Sequence, residues 1–372
     1  MEKSSPKVCF VMQSLSPGTH MDYVFEMVKT LQAEGSFSVR LLVEKPQSSE
    51  VVFEPWVFGQ KFTFAPLRVS ENFLLILRER LKGTKVFYVH YSFVSAIAAG
   101  LVVKMLGGKV LYWNAGMPWQ YKRSWWTEKY QHFAFKCIDV LVTGAPALVP
   151  GYASYYKISP SNIEVIPNWI DLNAVKQTGD KNLLKEQLSL PLNIPLLLFV
   201  HKVAKRKGSH WLVPIMQAVA DKHCHLIVAG DGPELKTVQE EAAAQGLSNR
   251  IHLLGRVDRE TVTKLYQVAD IFVMPSEEEG SPHSLIEAMA HGLPFATFAV
   301  GGVTDTISPL VHEYSYPYGD IEALACGINT LLRDKNEYNR VSKINSDWVR
   351  QFDKPIIVKN FLELLIRTIK RI

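Results

Sequence analysis

The sequence predicts an α/β protein of two doubly wound domains, each a parallel sheet covered by helices, that face each other across a cleft. Three observations support this prediction. Short apolar runs alternate with amphipathic segments, a polar stretch at 173–182 interrupts the alternation, and a second alternation begins at Pro195. At 372 residues the chain is too long for one ordinary core, so two domains are expected.

The first alternation covers the amino-terminal half. Its predicted strands are Val8–Met12, Val39–Val43, Val86–Val89, Val110–Trp113 and Val140–Val142. These runs are mostly apolar throughout, which is typical of parallel strands buried on both faces. Between them, residues 22–31 place Val24, Met27, Val28 and Leu31 at helical spacing.

The second alternation predicts a second sheet. Its strands are expected at Pro195–Val200, Leu226–Ala229, Ile251–Leu254, Ile271–Met274 and Phe295–Phe298, and residues 320–372 are helical in character. We therefore expect one domain over 1–175 and another over 176–351, with a final helix at about 352–372 packing back on the first domain.

Composition narrows the function. The chain has 41 basic and 36 acidic residues, and a net charge of +5 is too mild and dispersed to predict nucleic-acid binding. Four separated cysteines form no zinc or disulfide pattern. Neither a signal peptide nor a run of roughly 20 apolar residues is recognisable, so a cytoplasmic location is expected.

Residues 275–294 hold the most informative motif. Ser281 is placed as the N-cap of a helix whose first residue is Pro282, and the amides of His283, Ser284 and Leu285 would then be open to a diphosphate. Glu279 precedes this helix and Glu287 lies inside it, so the two carboxylates could bind sugar and ribose hydroxyls. Alternatively, both are ordinary acids near a helix start.

A basic loop follows the first strand of the second half. Residues 200–208 contain four cations, Lys202, Lys205, Arg206 and Lys207. Cations at a strand end beside a helix start suit a diphosphate, although a solvated basic loop would have the same composition. Gly230 and Gly232 form only a Gly-x-Gly, which is too weak for a dinucleotide fingerprint.

Together these segments resemble retaining glycosyltransferases of the GT-B fold, specifically glycosyltransferase family 4. The shared pattern is Glu-Gly-Ser-Pro-x3-Ile-Glu-Ala-Met-Ala at 279–290, followed by Gly301-Gly302. Supporting segments are Ile166-Pro-Asn, Lys207-Gly208, Gly230-Asp-Gly-Pro and Leu254-Gly-Arg-Val. The resemblance is close over 195–310 and looser before it, and it implies two Rossmann-like domains.

The resemblance also implies residue roles. Lys202 and Lys207 would bind the donor diphosphate, with Lys202 standing where the family usually has arginine; Glu279 would contact the sugar and Glu287 the ribose. The base would lie against Arg256 and Val257, and the backbone of residues 281–285 would hold the phosphates. In the first domain, Gly18 would let the backbone approach the phosphate. Asn114 stands where relatives often carry a histidine, and His20 and His90 are alternative acceptor-side residues.

The implied reaction transfers a hexose-type sugar from a UDP- or GDP-linked donor with retention. The acceptor would be a glycan, a lipid-linked molecule or a small molecule. No Asp-x-Asp occurs in the chain, so transfer without a metal or other cofactor is expected. An epimerase of the same fold and a non-catalytic nucleotide-sugar-binding protein remain alternatives.

A further expectation concerns membranes. Residues 117–136 interleave aromatic and basic side chains, a pattern that suits peripheral contact with an anionic membrane. It equally suits a helix that packs Trp126, Tyr130 and Phe133 into its own core. We favour the core for these three and leave Trp119, Lys122 and Arg123 for contact.

Overall fold

A computed structural model describes residues 5–14, 21–45, 56–62, 64–175 and 179–372. The chain divides into two compact units, which are described separately. Unit 1 is Met1–Pro167 with Pro355–Ile372, and unit 2 is Asn168–Lys354.

Unit 1 contains a seven-stranded parallel sheet in the order β3-β2-β1-β4-β5-β6-β7. Its strands are β1 Lys7–Ser14, β2 Ser38–Lys45, β3 Val57–Gly59, β4 Val86–His90, β5 Lys109–Trp113, β6 Val140–Thr143 and β7 Ile163–Val165. The five runs predicted from sequence all form strands. The two strands that were not predicted, β3 and β7, are three residues long and lie at the sheet edges.

Helices cover this sheet. They are α1 Met21–Glu34, α2 Ala65–Leu81, α3 Phe93–Leu106, α4 Trp125–Lys136, α5 Val149–Tyr156 and, from the end of the chain, α14 Lys354–Lys370. In α14, Phe361 is fully buried, and its ring lies 6.0 Å from that of Phe10 and 4.9 Å from that of Tyr88. The last helix is therefore part of the core of unit 1.

The orientation of α4 differs from the expectation. Its buried side chains are Gln131, Ala134 and Phe135, whereas Trp126, Tyr130 and Phe133 are 74%, 40% and 48% exposed. The two sets have similar helical spacing, and the neighbouring elements bury the first. The assignment of Trp126, Tyr130 and Phe133 to the core is therefore wrong.

Three residues were expected to remain available for membrane contact, and their environments differ: Trp119, Lys122 and Arg123. Trp119 is half-buried against Tyr152, with the ring centroids 5.0 Å apart. Arg123 donates a hydrogen bond to Gln131 of α4, and Lys122 is exposed. Only Lys122 of the three has the exposed position that was expected.

Unit 2 contains a six-stranded parallel sheet in the order β10-β9-β8-β11-β12-β13. Its strands are β8 Leu196–Val200, β9 His225–Ala229, β10 Ile251–Gly255, β11 Ile271–Met274, β12 Phe295–Phe298 and β13 Ser315–Tyr316. Its helices are α6 Lys181–Gln187, α7 Leu212–Ala218, α8 Leu235–Ala244, α9 Arg259–Val268, α10 His283–Ala290, α11 Val303–Thr306, α12 Ile321–Arg333 and α13 Lys335–Trp348.

The unit boundaries lie at Asn168 and Pro355, whereas the sequence suggested 176 and 352. Hydrogen bonds explain the first difference. The Asn168 amide donates to Ser281 Oγ at 2.9 Å, and the Ile170 amide donates to the Phe352 carbonyl at 2.9 Å. Asn168 and Ile170, which precede the polar stretch at 173–182, are thus anchored in unit 2.

Candidate functional site

Two loops of unit 2 meet because their strands are neighbours. β8 pairs with β11 in parallel, so their carboxyl ends, and the loops that follow, lie at the same edge of the sheet. The first loop continues into a 3₁₀ turn at Lys205–Lys207 and then Gly208, whose φ is +77°. A Cβ at Gly208 would lie 1.9 Å from the Pro275 carbonyl oxygen. Glycine at this position therefore lets the basic loop after β8 pack directly on Pro275, where the loop after β11 begins.

One buried polar contact between these loops is centred on Glu279. Its side chain is 5% exposed; Lys207 Nζ lies 2.9 Å from Glu279 Oε1, and His201 Nε2 lies 3.2 Å from the same oxygen. Lys207 Nζ also donates to the Glu278 carbonyl at 3.3 Å. Burial alone would raise the pKa of the Glu279 carboxyl, but Lys207 and His201 outweigh it and hold this pKa well below its usual range. Glu279 is therefore ionised in the folded protein.

Hydrogen bonds fix the tautomer of His201. Its Nδ1 accepts from the Lys202 backbone amide at 2.8 Å, so the ring proton belongs on Nε2, from which it is donated to Glu279. Burial and the Lys207 charge lower the pKa of His201, against the opposing effect of Glu279. Near neutral pH, His201 is thus a neutral donor. No role for His201 was predicted from the sequence.

The backbone of Glu279 is also fixed. The Gly302 amide donates to the Glu279 carbonyl at 2.8 Å. The preceding Gly301 has a φ of +50°, in the left-handed region that favours glycine. The carboxylate is consequently positioned from both its side chain and its main chain.

The start of α10 corrects the predicted N-cap. The cap residue is Pro282, not Ser281, and no side chain caps the helix. Ser281 instead accepts from the Asn168 amide through its hydroxyl, and its carbonyl accepts from Asn168 Nδ2 at 2.6 Å. The helical bonding starts with the Ile286 amide, which donates to the Pro282 carbonyl at 3.2 Å. The amides of Ser284 and Leu285 precede that bond, as an anion site requires.

Glu287 has a partner that the sequence did not reveal. The Tyr266 hydroxyl shares its proton between Glu287 Oε2 at 3.0 Å and the Ser284 carbonyl at 3.1 Å. Tyr266 is 2% exposed in α9, and its ring stacks on His291 with centroids 5.4 Å apart. Glu287 is half-buried, so its carboxylate is oriented by the core and still reaches solvent.

The other predicted donor residues are less tightly joined. Lys202 is exposed, and among the described residues its ammonium forms no ion pair with Glu279. Arg206 pairs with Glu278 instead. Beyond β10, Arg256 is exposed and Val257 packs against the core of unit 2. Lys207 is therefore the cation that the structure brings to Glu279.

The candidate site residues of unit 1 are Gly18, His20, His90 and Asn114. Gly18 and His20 lie outside the described residues. His90 is 3% exposed and stacks on Trp113 with ring centroids 5.6 Å apart. Asn114 Oδ1 accepts from the Tyr152 hydroxyl at 2.8 Å and from the Gly116 amide at 3.0 Å. Asn114 thus holds a buried turn together.

Among the residues that the structure describes, no group of three or more His, Cys, Asp or Glu side chains is arranged to hold a metal ion. In that same part of the chain, no helix is both long and apolar enough to cross a membrane.

Residues 180–348 match the family model of glycosyl transferases group 1. This match lies within unit 2 and covers less than half of the chain. The chain is 26% identical over 191 residues to 2-deoxystreptamine glucosyltransferase of Streptomyces kanamyceticus, which covers 50% of this chain and 49% of that protein. The chain spans about half the length of the first curated relatives it matches.

Solved structures extend the likeness to the whole chain. Anabaena HepE in complex with UDP and glucose matches with a TM-score of 0.82 at 17% identity, over 97% of this chain and all of that one (100%). Sucrose-phosphate synthase from Thermosynechococcus elongatus matches with a TM-score of 0.82 at 19% identity, over 99% and 100%. The predicted GT-B fold is confirmed, and residues 180–348 match a glycosyltransferase family, in agreement with the resemblance drawn from the sequence.

Proposed function

We propose that this protein is a retaining glycosyltransferase of family 4 that transfers a hexose-type sugar from a nucleoside-diphosphate sugar. The observation that carries the proposal is the ionised Glu279, held by Lys207 and His201 in the same motif as the uncapped start of α10. A carboxylate for sugar hydroxyls, a cation and helix amides for phosphate are the groups that such a donor needs.

Each group has a distinct role in the proposed reaction. Lys207 and the amides at the start of α10 bind the diphosphate, Glu279 accepts hydrogen bonds from the sugar, and Glu287 accepts them from the ribose. Tyr266 acts through Glu287 as a positioning residue. Lys202 supplies a second positive charge from its exposed position.

All the bonds that form and break in the proposed step belong to the two substrates. The acceptor hydroxyl attacks the anomeric carbon from the face that the diphosphate leaves, so configuration is retained. The bond from the anomeric carbon to the diphosphate breaks with its electron pair on the diphosphate, which takes the acceptor proton. Lys207 and the helix amides stabilise the charge that develops there, and transfer proceeds without a metal.

UDP is the favoured nucleoside diphosphate of the sugar donor, with GDP as the alternative. This preference rests on Anabaena HepE, whose structure contains UDP and glucose. The acceptor class is a glycan, a lipid-linked molecule or a small molecule, and the proposed location is the cytoplasmic face of a membrane.

A thermal-shift titration with UDP and GDP, with and without EDTA, tests the donor site. We expect one diphosphate to raise the Tm equally in both conditions, and Glu287→Gln to remove the rise. Glu240→Gln in α8, where Glu240 forms an exposed pair with Lys236, is the matched control. A Tm rise that requires a divalent metal would contradict metal-independent transfer.

Product analysis then tests catalysis. The UDP- or GDP-hexose is incubated with and without candidate acceptors, and the anomeric configuration of any product is read by NMR. A retained product that forms only with acceptor supports the proposal. Epimerised donor without acceptor would indicate an epimerase, and binding without turnover for every acceptor would indicate a binding protein.

We also infer that α4 contacts an anionic membrane surface. Trp125 and Trp126 are 55% and 74% exposed, and Lys129 Nζ lies 3.9 Å from the centroid of the Trp125 ring. The same helix exposes Tyr130 and Phe133, and its remaining acid, Glu128, accepts a hydrogen bond from Tyr155. Exposed aromatic rings beside cations suit a lipid interface with negative headgroups.

Vesicle co-sedimentation tests this contact. The wild-type protein should sediment with vesicles containing phosphatidylglycerol at low salt, and less so at high salt. The double change of Trp125 and Trp126 to alanine should reduce binding several-fold. Leu310→Ala, at a residue 67% exposed in unit 2, is the control and should bind as wild type does. Equal binding to neutral phosphatidylcholine vesicles would contradict the role of the cations.

A further inference from the structure

A histidine lies between two residues of unit 2 that the proposed donor would contact. His201 is the first residue after β8, and its ring takes part in two hydrogen bonds with different partners. Nδ1 accepts from the Lys202 amide at 2.8 Å, and Nε2 lies 3.2 Å from Glu279 Oε1. The imidazole therefore joins the backbone of the loop after β8 to the carboxylate of the loop after β11.

The two oxygens of Glu279 have different surroundings. Oε1 accepts from Lys207 Nζ at 2.9 Å as well as from His201, and a carboxylate oxygen accepts about two hydrogen bonds. Oε2 accepts none from the described residues. It is not one of the fully buried atoms that lack a partner, so solvent reaches it. Oε2 is therefore the oxygen of Glu279 that a ligand hydroxyl can approach.

Lys207 supplies charge to this contact but little direction. Its ammonium ends a flexible four-carbon stem, and it also donates to the Glu278 carbonyl at 3.3 Å. The imidazole, in contrast, is a rigid ring whose orientation is set by the Lys202 amide. The direction of the Nε2–H bond, and with it the rotation of the Glu279 carboxylate, is thus fixed from the main chain.

The neutral state of His201 suits a carboxylate that must still accept hydrogen bonds. Burial and the charge of Lys207 lower the pKa of His201, so its ring carries no charge near pH 7. Lys207 and Glu279 then balance each other, and the histidine adds a hydrogen bond without a second positive charge. A second cation would bind the carboxylate more strongly and compete with a neutral sugar hydroxyl.

We propose that His201 is a positioning residue that orients the Glu279 carboxylate so that Oε2 faces the sugar of the donor. This role rests on the proposed function, in which Glu279 accepts hydrogen bonds from that sugar. Lys207 and the amides at the start of α10 bind the diphosphate in the same proposal. A change at His201 should therefore alter the affinity for a nucleotide sugar and leave the affinity for the nucleotide alone unchanged.

Isothermal titration calorimetry tests the role with UDP and UDP-glucose, and in parallel with GDP and GDP-mannose. Three variants separate the two hydrogen bonds of the ring. His201→Leu removes both, His201→Gln keeps an amide donor at the reach of Nε2, and His201→Asn keeps only an acceptor near the position of Nδ1. His252→Leu is the control, because His252 is a half-buried histidine at the amino ends of the strands, 2.9 Å from His225 Nδ1.

We expect His201→Leu and His201→Asn to weaken binding of the nucleotide sugar about tenfold relative to the nucleotide. His201→Gln should restore the wild-type ratio to within about threefold, and His252→Leu should keep it. An unchanged ratio in His201→Leu, or an equal loss in His201→Gln, would overturn the role. No binding of either nucleotide by the wild type would refute the proposed donor site and this role with it.

Carbon-13 NMR of the Glu279 carboxyl gives a second measurement that needs no nucleotide. The hydrogen bond from His201 helps to lower the pKa of this carboxyl, so His201→Leu should raise the pKa and His201→Gln should keep it low. An identical pKa in wild type and His201→Leu would mean that the bond is not formed in solution. That result would overturn the positioning role while leaving nucleotide binding by Lys207 and α10 intact.

Discussion

Replacing Lys207 by methionine should lower the free energy of unfolding of unit 2 by about 2–3 kcal/mol. The change removes the ammonium 2.9 Å from Glu279 Oε1 and leaves a carboxylate that is only 5% exposed beside the neutral His201. Breaking a buried ion pair costs about 3–5 kcal/mol. The Lys207 side chain is 26% exposed, so water reduces this cost to the value above.

A double-mutant cycle isolates the charge effect. Urea unfolding followed by circular dichroism gives the free energies of unfolding of Lys207→Met, Glu279→Gln and the double variant. These values are compared with the slope of the free energy against urea concentration the same in all three. In the double variant no carboxylate is left unpaired, so its loss should fall short of the sum of the single losses by about 1–2 kcal/mol. Additivity within about 0.5 kcal/mol would refute the reasoning. The control is Lys236→Met, whose 3.5 Å pair with Glu240 is exposed.

The same carboxyl predicts a pH dependence. The folded pKa of Glu279 lies well below its ordinary value of 4.5, because Lys207 and His201 outweigh the effect of burial. A lowered carboxyl pKa adds stability that is present above the unfolded pKa and is lost as the pH falls through the folded pKa. The stability advantage of the wild type over Glu279→Gln should therefore shrink as the pH falls below about 5.

Three further predictions concern the same unit. Gly208→Ala should lower the free energy of unfolding by about 3 kcal/mol or more, because the new Cβ would lie 1.9 Å from a carbonyl oxygen. The control is Gly246→Ala, where φ is +68° and no atom lies within 4 Å, and its cost should be about 1 kcal/mol. Equal losses of Tm in the two variants would contradict the packing argument. Tyr266→Phe should cost about 1 kcal/mol and weaken nucleotide binding through Glu287, and calorimetric binding equal to wild type would exclude that positioning role. Nitrogen-15 NMR at pH 7 should find His201 neutral and protonated on Nε2, because burial and Lys207 lower its pKa. The stability that the neutral ring contributes should fall as the pH drops below the unfolded pKa of 6.5, where the unfolded chain takes up a proton first. Imidazolium chemical shifts at pH 7 would refute the assignment.

The strand pattern was readable where strands are long enough to bury a continuous apolar run. Ile271–Met274 and Phe295–Phe298 begin and end as predicted. The missed strands, β3, β7 and β13, have two or three residues and lie at sheet edges. Such segments contain no periodicity, and their neighbours in the sheet determine that they pair.

The site was readable only in part. The motifs and their resemblance to the family singled out Lys207, Glu279 and Glu287 as candidates, but Tyr266 is a residue of the core whose hydroxyl meets Glu287 only in the folded chain. Ser281 is a good N-cap by residue type, yet its hydroxyl is engaged by Asn168, which lies far away in sequence. Local preference predicts what a side chain can do, and tertiary contacts decide which option is used.

The position of α14 has a consequence for synthesis on the ribosome. Unit 2 is one continuous segment, Asn168–Lys354, and can fold as soon as it has emerged. Unit 1 begins first but waits for Phe361, whose ring packs on Phe10 and Tyr88. The first half of the chain therefore holds an incomplete core while the entire second unit is translated. During that interval, the apolar surface that α14 later covers is exposed to chaperones and to aggregation.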